Sequence, residues 1–148
     1  MFQRSRLLVP LLALFAFQVR ADEAADREAI RQTALDYAES WYAGDAERMA
    51  RAVHPELCKR IVRTDKDTGS RFIDTMGATK LVNGARGGHG KQTPEAERLK
   101  DVQILDVFEN AAAVKVTMSG WVDYMQLARL DGRWVIVNVL WELKPEKK

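Results

Sequence analysis

The chain has 148 residues, 47% of them hydrophobic, and its 23 Lys and Arg against 21 Asp and Glu give a formal net charge of +2. That is one domain's worth of chain with enough apolar material for a core, and the Lys144 to Lys148 tail reads as a solubilising end. Its single cysteine, Cys58, excludes an internal disulfide, so packing alone must hold the domain together.

Arg4 and Arg6 precede an apolar run from Leu7 to Phe17, and Gln18-Val19-Arg20-Ala21 places small residues where a signal peptidase reads them. The pattern predicts a cleavable signal peptide over residues 1–21 and one exported domain, periplasmic or secreted, over 22–148. The apolar run is about half of the ~20 residues that cross a bilayer, so no membrane anchor is expected after cleavage. Losing Arg4, Arg6 and Arg20 leaves 20 of the 23 basic residues against all 21 acidic ones. The domain is then near neutral, and no nucleic-acid partner is expected.

Between Ala24 and Ala43 the residues Ile30, Ala34, Tyr37, Ala38 and Trp41 recur at helical spacing, with Arg27, Glu28, Arg31 and Glu39 on the other faces. This predicts one long amphipathic helix. Gly44 suits its left-handed end, and Asp45 caps a shorter helix carrying Met49 and Val53, which Pro55 ends. Leu57, Ile61 and Val62 fit either an edge strand or a helical turn. Asp65 to Ser70 is turn-rich, while Phe72, Ile73, Met76, Leu81 and Val82 fit a third helix only with Gly77 inside it. Gly84 to Leu99 reads as an exposed, mobile connection.

From Asp101 the apolar period becomes two. Val102 to Phe108 form a strand, Glu109-Asn110 turns, and Val114, Val116 and Met118 continue on the next strand; Gly120 leads into a third, and Asp131-Gly132 closes a hairpin. Helices first and a strand meander last predict an α+β domain with helices covering one face of a curved antiparallel sheet. With Leu130 opposite Arg133, uninterrupted pairing sets Asp123 against Leu140 and Asn138 against Met125. Asp123 and Asn138 then become diagonal neighbours on one face. Both faces of this hairpin are apolar, which predicts that helices cover one and a second copy of the chain the other, in a homodimer.

The first helix ending in WYAGDAERM, the HPEL after the second, and above all DYMQLARLDGRWVIVNVLW resemble the "putative lumazine-binding" branch of the nuclear transport factor 2-like superfamily, also called cystatin-like or SnoaL-like. The resemblance covers nearly all of residues 22–148. It implies a cone-shaped cystatin-like roll, with an apolar pocket between the first helix and the sheet, often within a homodimer. The expected ligand is a small, flat aromatic molecule, with no cofactor. Tyr37 and Trp41 from the helix, His54 from the corner, and Asp123, Met125 and Asn138 from the sheet are the residues expected to line the pocket. For Tyr37 and Trp41, plain core packing is the better account of the spacing.

Two other functions stay open at this stage. Ketosteroid isomerases share the superfamily, and an isomerase- or dehydratase-like reaction would use Asp123 or His54 for proton transfer with Tyr37 or Tyr42 as a donor. No second inward carboxylate completes their active-site set. A non-catalytic dimerisation module is the remaining alternative. Metal binding is not expected, because Pro55 disturbs the spacing of His54 and Cys58, and His89 stands alone. GARGGHGK departs from the phosphate-loop spacing at Gln92.

Overall fold

A computed structural model describes the backbone of residues 9–145 and the side-chain surroundings of residues 22–145. The expected signal peptide, 1–21, falls outside the described side chains, and so does the end of the lysine-rich tail at 146–148. Helix α1 spans Val9–Ala43 and helix α2 Ala46–Ala52. Strands β1 (Val53–Thr64) and β2 (Arg71–Gly77) precede helix α3 (Ala78–Arg86). Two short 3-10 turns follow at His89–Gln92 and Glu95–Glu97, before strands β3 (Lys100–Phe108), β4 (Ala111–Met118), β5 (Trp121–Leu130) and β6 (Arg133–Leu143). Among the described residues no helix is long and apolar enough to cross a membrane.

The strands form one sheet in the order β2-β1-β6-β5-β4-β3. Every pairing is antiparallel except β1 with β6, so the sheet is mixed rather than wholly antiparallel as expected. Its inner face packs on the helices. Ile30, Ala34, Tyr37 and Ala38 of α1 are buried against Val114, Val116, Met125, Leu127 and Ile136. Full burial of each large side chain contributes about 1.5–3 kcal/mol, which explains why α1 is fixed by its apolar stripe.

Local chemistry sets the corners. Gly44 takes φ +71°, and Asp45 accepts the backbone N–H of Arg48 at 2.9 Å to cap α2. Asp131 and Gly132, at φ +49° and +76°, close the β5–β6 hairpin as expected, with Leu130 opposite Arg133. Midway along α1, Asp26 accepts hydrogen bonds from Arg129 at 2.9 Å and the Trp134 indole at 3.1 Å, tying the helix to this hairpin.

Four sequence expectations change. Val53 leaves α2 and opens β1, because its extended backbone ends the helix at Ala52. β1 is neither an edge strand nor a helical turn but an inner strand between β2 and β6. The third helix splits at Gly77: residues before it pair with β1, and Gly77 itself starts α3 in an extended conformation. Lastly, Gly84 to Leu99 is exposed over most of its length as expected, but it ends α3 and forms two 3-10 turns, the first of them packed on α1. Gly90 is buried so tightly against Trp41 that an added Cβ would lie 2.2 Å from that residue's carbonyl oxygen.

The largest change is register. Pairing follows the expected numbers from Leu130–Arg133 to Leu127–Ile136, then shifts, so that Gln126 faces Asn138, Met125 faces Val139 and Asp123 faces Trp141. Val137 is the extra residue of a bulge. A second shift in β3–β4 falls at Leu105. Bulges bend the strand that carries them and raise its twist, which curves this sheet into a cone.

Candidate tryptophan-lined site

Past the bulge, the inward residues of β6 are Val139, Trp141 and Leu143, and those of β5 are Met125, Asp123 and Trp121. Lys59 of β1 pairs with Val139 on one side and Met76 of β2 on the other, so it too points inward. Lys59, Met76, Trp121, Trp141 and Leu143 meet Tyr37 and Trp41 of α1 and Leu81 of α3 around a cavity of about 180 Å³. Its wall is almost wholly apolar. Three tryptophans pack edge to face along it: Trp41 with Trp121 at 5.8 Å between ring centres, and Trp121 with Trp141 at 6.2 Å. Leu143 is half exposed and marks the rim.

Beneath the aromatic wall lies a closed polar cluster. Asp123 is 0% exposed and Lys59 4%. The Lys59 ammonium donates to one oxygen of Asp123 and, at 2.8 Å, to the Tyr37 hydroxyl. Tyr37 donates to the other Asp123 oxygen at 3.2 Å, and the Trp121 indole N–H donates to that oxygen at 2.8 Å. The ammonium also lies 4.7 Å from the centre of the Trp141 ring, a cation–π contact. Burial raises the Tyr37 hydroxyl well above its ordinary pKa, and the nearby Asp123 charge adds to the effect. Burial lowers Lys59 below the ordinary lysine value, with the Asp123 charge opposing it.

The structure brings Tyr37, Trp41 and Asp123 to one site, with Asp123 in the floor rather than in the wall. Met125 is core beside them. His54 is half-buried on β1, its Nδ1 accepting the Glu56 N–H at 3.2 Å, and does not line the cavity. Asn138 must be corrected: the bulge turns it to the outer face, where it donates to Gln126 at 3.1 Å, away from Asp123. Tyr42 is no donor here, since its hydroxyl bonds the Leu99 carbonyl at 2.8 Å and meets Ser119. Sequence reasoning missed Lys59, Trp121 and Trp141. Lys59 sits in the alternation Leu57-Lys59-Ile61, which placed a charge on an apolar face and was legible as such.

A helix-backed, bulged sheet around an apolar cavity is the cystatin-like fold, the fold of nuclear transport factor 2-like proteins. The chain belongs to the family described as "Putative lumazine-binding", whose model matches residues 25–142. Comparison with curated proteins gives no match. Among solved structures, a nuclear transport factor 2-like protein with a cystatin-like fold from Novosphingobium aromaticivorans is 14% identical, with TM-score 0.66, over 90% of this chain and 92% of that one. One of unknown function from Shewanella baltica is 18% identical, with TM-score 0.61, over 83% and 97%. A cystatin-like protein of unknown function from Nostoc punctiforme is 15% identical, with TM-score 0.59, over 83% and 94%. These likenesses establish the fold.

Proposed function

We propose that this chain is an exported small-molecule-binding protein whose ligand sits between Trp41, Trp121 and Trp141. The observation that carries the reading is an open, carbon-walled aromatic cavity built directly over a buried polar cluster. Apolar cavities of about 150 Å³ accept a benzene-sized guest, whereas drug-sized ligands need roughly 300 Å³ or more. A cavity of about 180 Å³ therefore seats one ring, with any further part passing the rim near Leu143. A flat aromatic compound fits this shape, its polar edge turned to solvent; a steroid is too large to enter whole.

Export rests on the N-terminal sequence pattern. The homodimer is supported by the outer sheet face, where Leu105, Tyr124 and Leu140 are 50%, 50% and 55% exposed around a shallow depression shared with Asn138 and Gln126. A second copy presenting the same patch would cover it by two-fold symmetry. Acid–base catalysis has weaker support. Asp123 is 0% exposed and absent from the cavity wall, so a substrate proton could reach it only by way of Lys59, Tyr37 or Trp121.

Melting curves with lumazine, other pteridines and simple aromatics test the reading. Ligand at about 100 times its Kd stabilises the native state by about 2.7 kcal/mol. For a chain this size that is a rise in Tm of roughly 5–10 °C. A panel that leaves both Tm and tryptophan fluorescence unmoved, with nothing co-purifying in native mass spectrometry, would overturn it.

A further inference from the structure

Among the described residues Lys59 is the only buried lysine, while Lys66, Lys80, Lys91 and Lys100 are exposed. Holding an ammonium out of water is costly even when it is paired, and an apolar residue would fill the same space without that penalty. The placement also has chemical consequences. Lys59 belongs to the cavity wall, with its nitrogen 4.7 Å from the centre of the Trp141 ring and 5.4 Å from that of Tyr37, both wall residues. The same nitrogen touches two groups that exchange protons, the Asp123 carboxylate and the Tyr37 hydroxyl. A desolvated lysine beside a proton acceptor is the arrangement that turns an ammonium into a nucleophilic amine.

We propose that Lys59 forms an imine with a small aromatic aldehyde or ketone seated in the tryptophan-lined cavity. The ammonium passes one proton to Asp123 along their existing hydrogen bond, which displaces no donor. The free amine attacks the carbonyl carbon, a C–N bond forms, and the carbonyl π electrons move to oxygen, which is protonated through Tyr37. The adduct nitrogen, now NH2+, replaces the proton that Tyr37 gave and leaves a neutral carbinolamine; Asp123 then returns its proton to the hydroxyl, which departs as water and leaves a protonated imine, C=N–H+, beside the Asp123 carboxylate. Amine and carbonyl become imine and water, with no oxidant or reductant consumed. Burial also lowers the proton affinity of Lys59, which acts in the same direction.

This proposal deepens the binding reading by naming the ligand class as a carbonyl compound. The test incubates the whole protein near neutral pH with benzaldehyde, reduces any imine with sodium cyanoborohydride, and maps the benzylated lysines by peptide mass spectrometry. The expected result is label on Lys59 exceeding that on Lys66, Lys80, Lys91 or Lys100 by about tenfold or more, because the cavity holds the aldehyde beside the amine. In urea the preference should vanish. Native protein labelled evenly, or on exposed lysines alone, would overturn the proposal. If benzaldehyde quenches tryptophan fluorescence yet leaves Lys59 unlabelled, the imine falls and the binding site stands. If it neither quenches nor labels, the imine falls and the binding reading is weakened with it.

Discussion

Replacing Asp123 by Leu should be more damaging than replacing both Asp123 and Lys59. In the Asp123→Leu variant the Lys59 ammonium keeps only the Tyr37 hydroxyl and the Trp141 face, while the Trp121 N–H loses its acceptor. Breaking a buried ion pair from one side costs about 3–5 kcal/mol, and an orphaned neutral donor adds about 1–3 kcal/mol. A loss near 5 kcal/mol would lower Tm by more than about 10 °C. Adding Lys59→Met removes the stranded charge and leaves unpaired only the Trp121 N–H and Tyr37 O–H, neutral donors that Asp123→Leu orphans as well. The second substitution should therefore restore roughly 2–4 kcal/mol. Urea unfolding of wild type, both single variants and the double variant, followed by circular dichroism, measures the cycle. A double variant less stable than Asp123→Leu would refute the reasoning, because it would mean that Lys59 carries no buried, pair-dependent charge.

Three further outcomes follow from the same structure. Gly90→Ala drives a methyl into the Trp41 backbone, so it should cost about 1–3 kcal/mol and alter the tryptophan emission spectrum; an unchanged melting curve would show that the 3-10 turn does not clamp Trp41. Leu140→Glu on the outer face should turn a dimer into a monomer of unchanged circular dichroism in sedimentation experiments, and a wild type that sediments as a monomer would remove the dimer proposal. Tyr37 has a folded pKa raised above its unfolded value near 10, so its contribution is complete below about pH 10 and is lost as pH climbs beyond it. Lys59, lowered in the fold, acts oppositely in the window just below its unfolded value of 10.5. Melting temperatures from pH 9 to 11 should thus fall more steeply above pH 10 for wild type than for Tyr37→Phe, and parallel curves would contradict the assignment.

The sequence made the architecture legible because its strongest features are local. The stripe Ile30, Ala34, Tyr37 and Ala38 defined α1, and the aspartate-glycine pair placed the last hairpin with its first four pairings correct. What it hid was a single inserted residue. In RWVIVNVLWEL both alternations are rich in apolar side chains, so counting by twos cannot choose between them. Asn138 and Glu142 share one parity, and they mark the outward side only beyond Val137. Reading them as outward would have revealed the switch and moved Trp141 inward beside Asp123. The middle of the chain failed for another reason: Gly84, Gly87 and Gly90 look like loop residues, yet their missing side chains permit close approach to Trp41 and His89.

The central claim is that ligand enters the space between three particular indoles. The chain has four tryptophans, and Trp134 is tied to Asp26 rather than lining the cavity. Two-dimensional nitrogen–proton spectra resolve each indole N–H separately, with single Trp→Phe variants assigning them. On titration with the tightest-binding aromatic, the signals of Trp41, Trp121 and Trp141 should shift together and saturate while Trp134 stays in place. A ligand that binds while moving Trp134 alone, or none of the four, would contradict the claim.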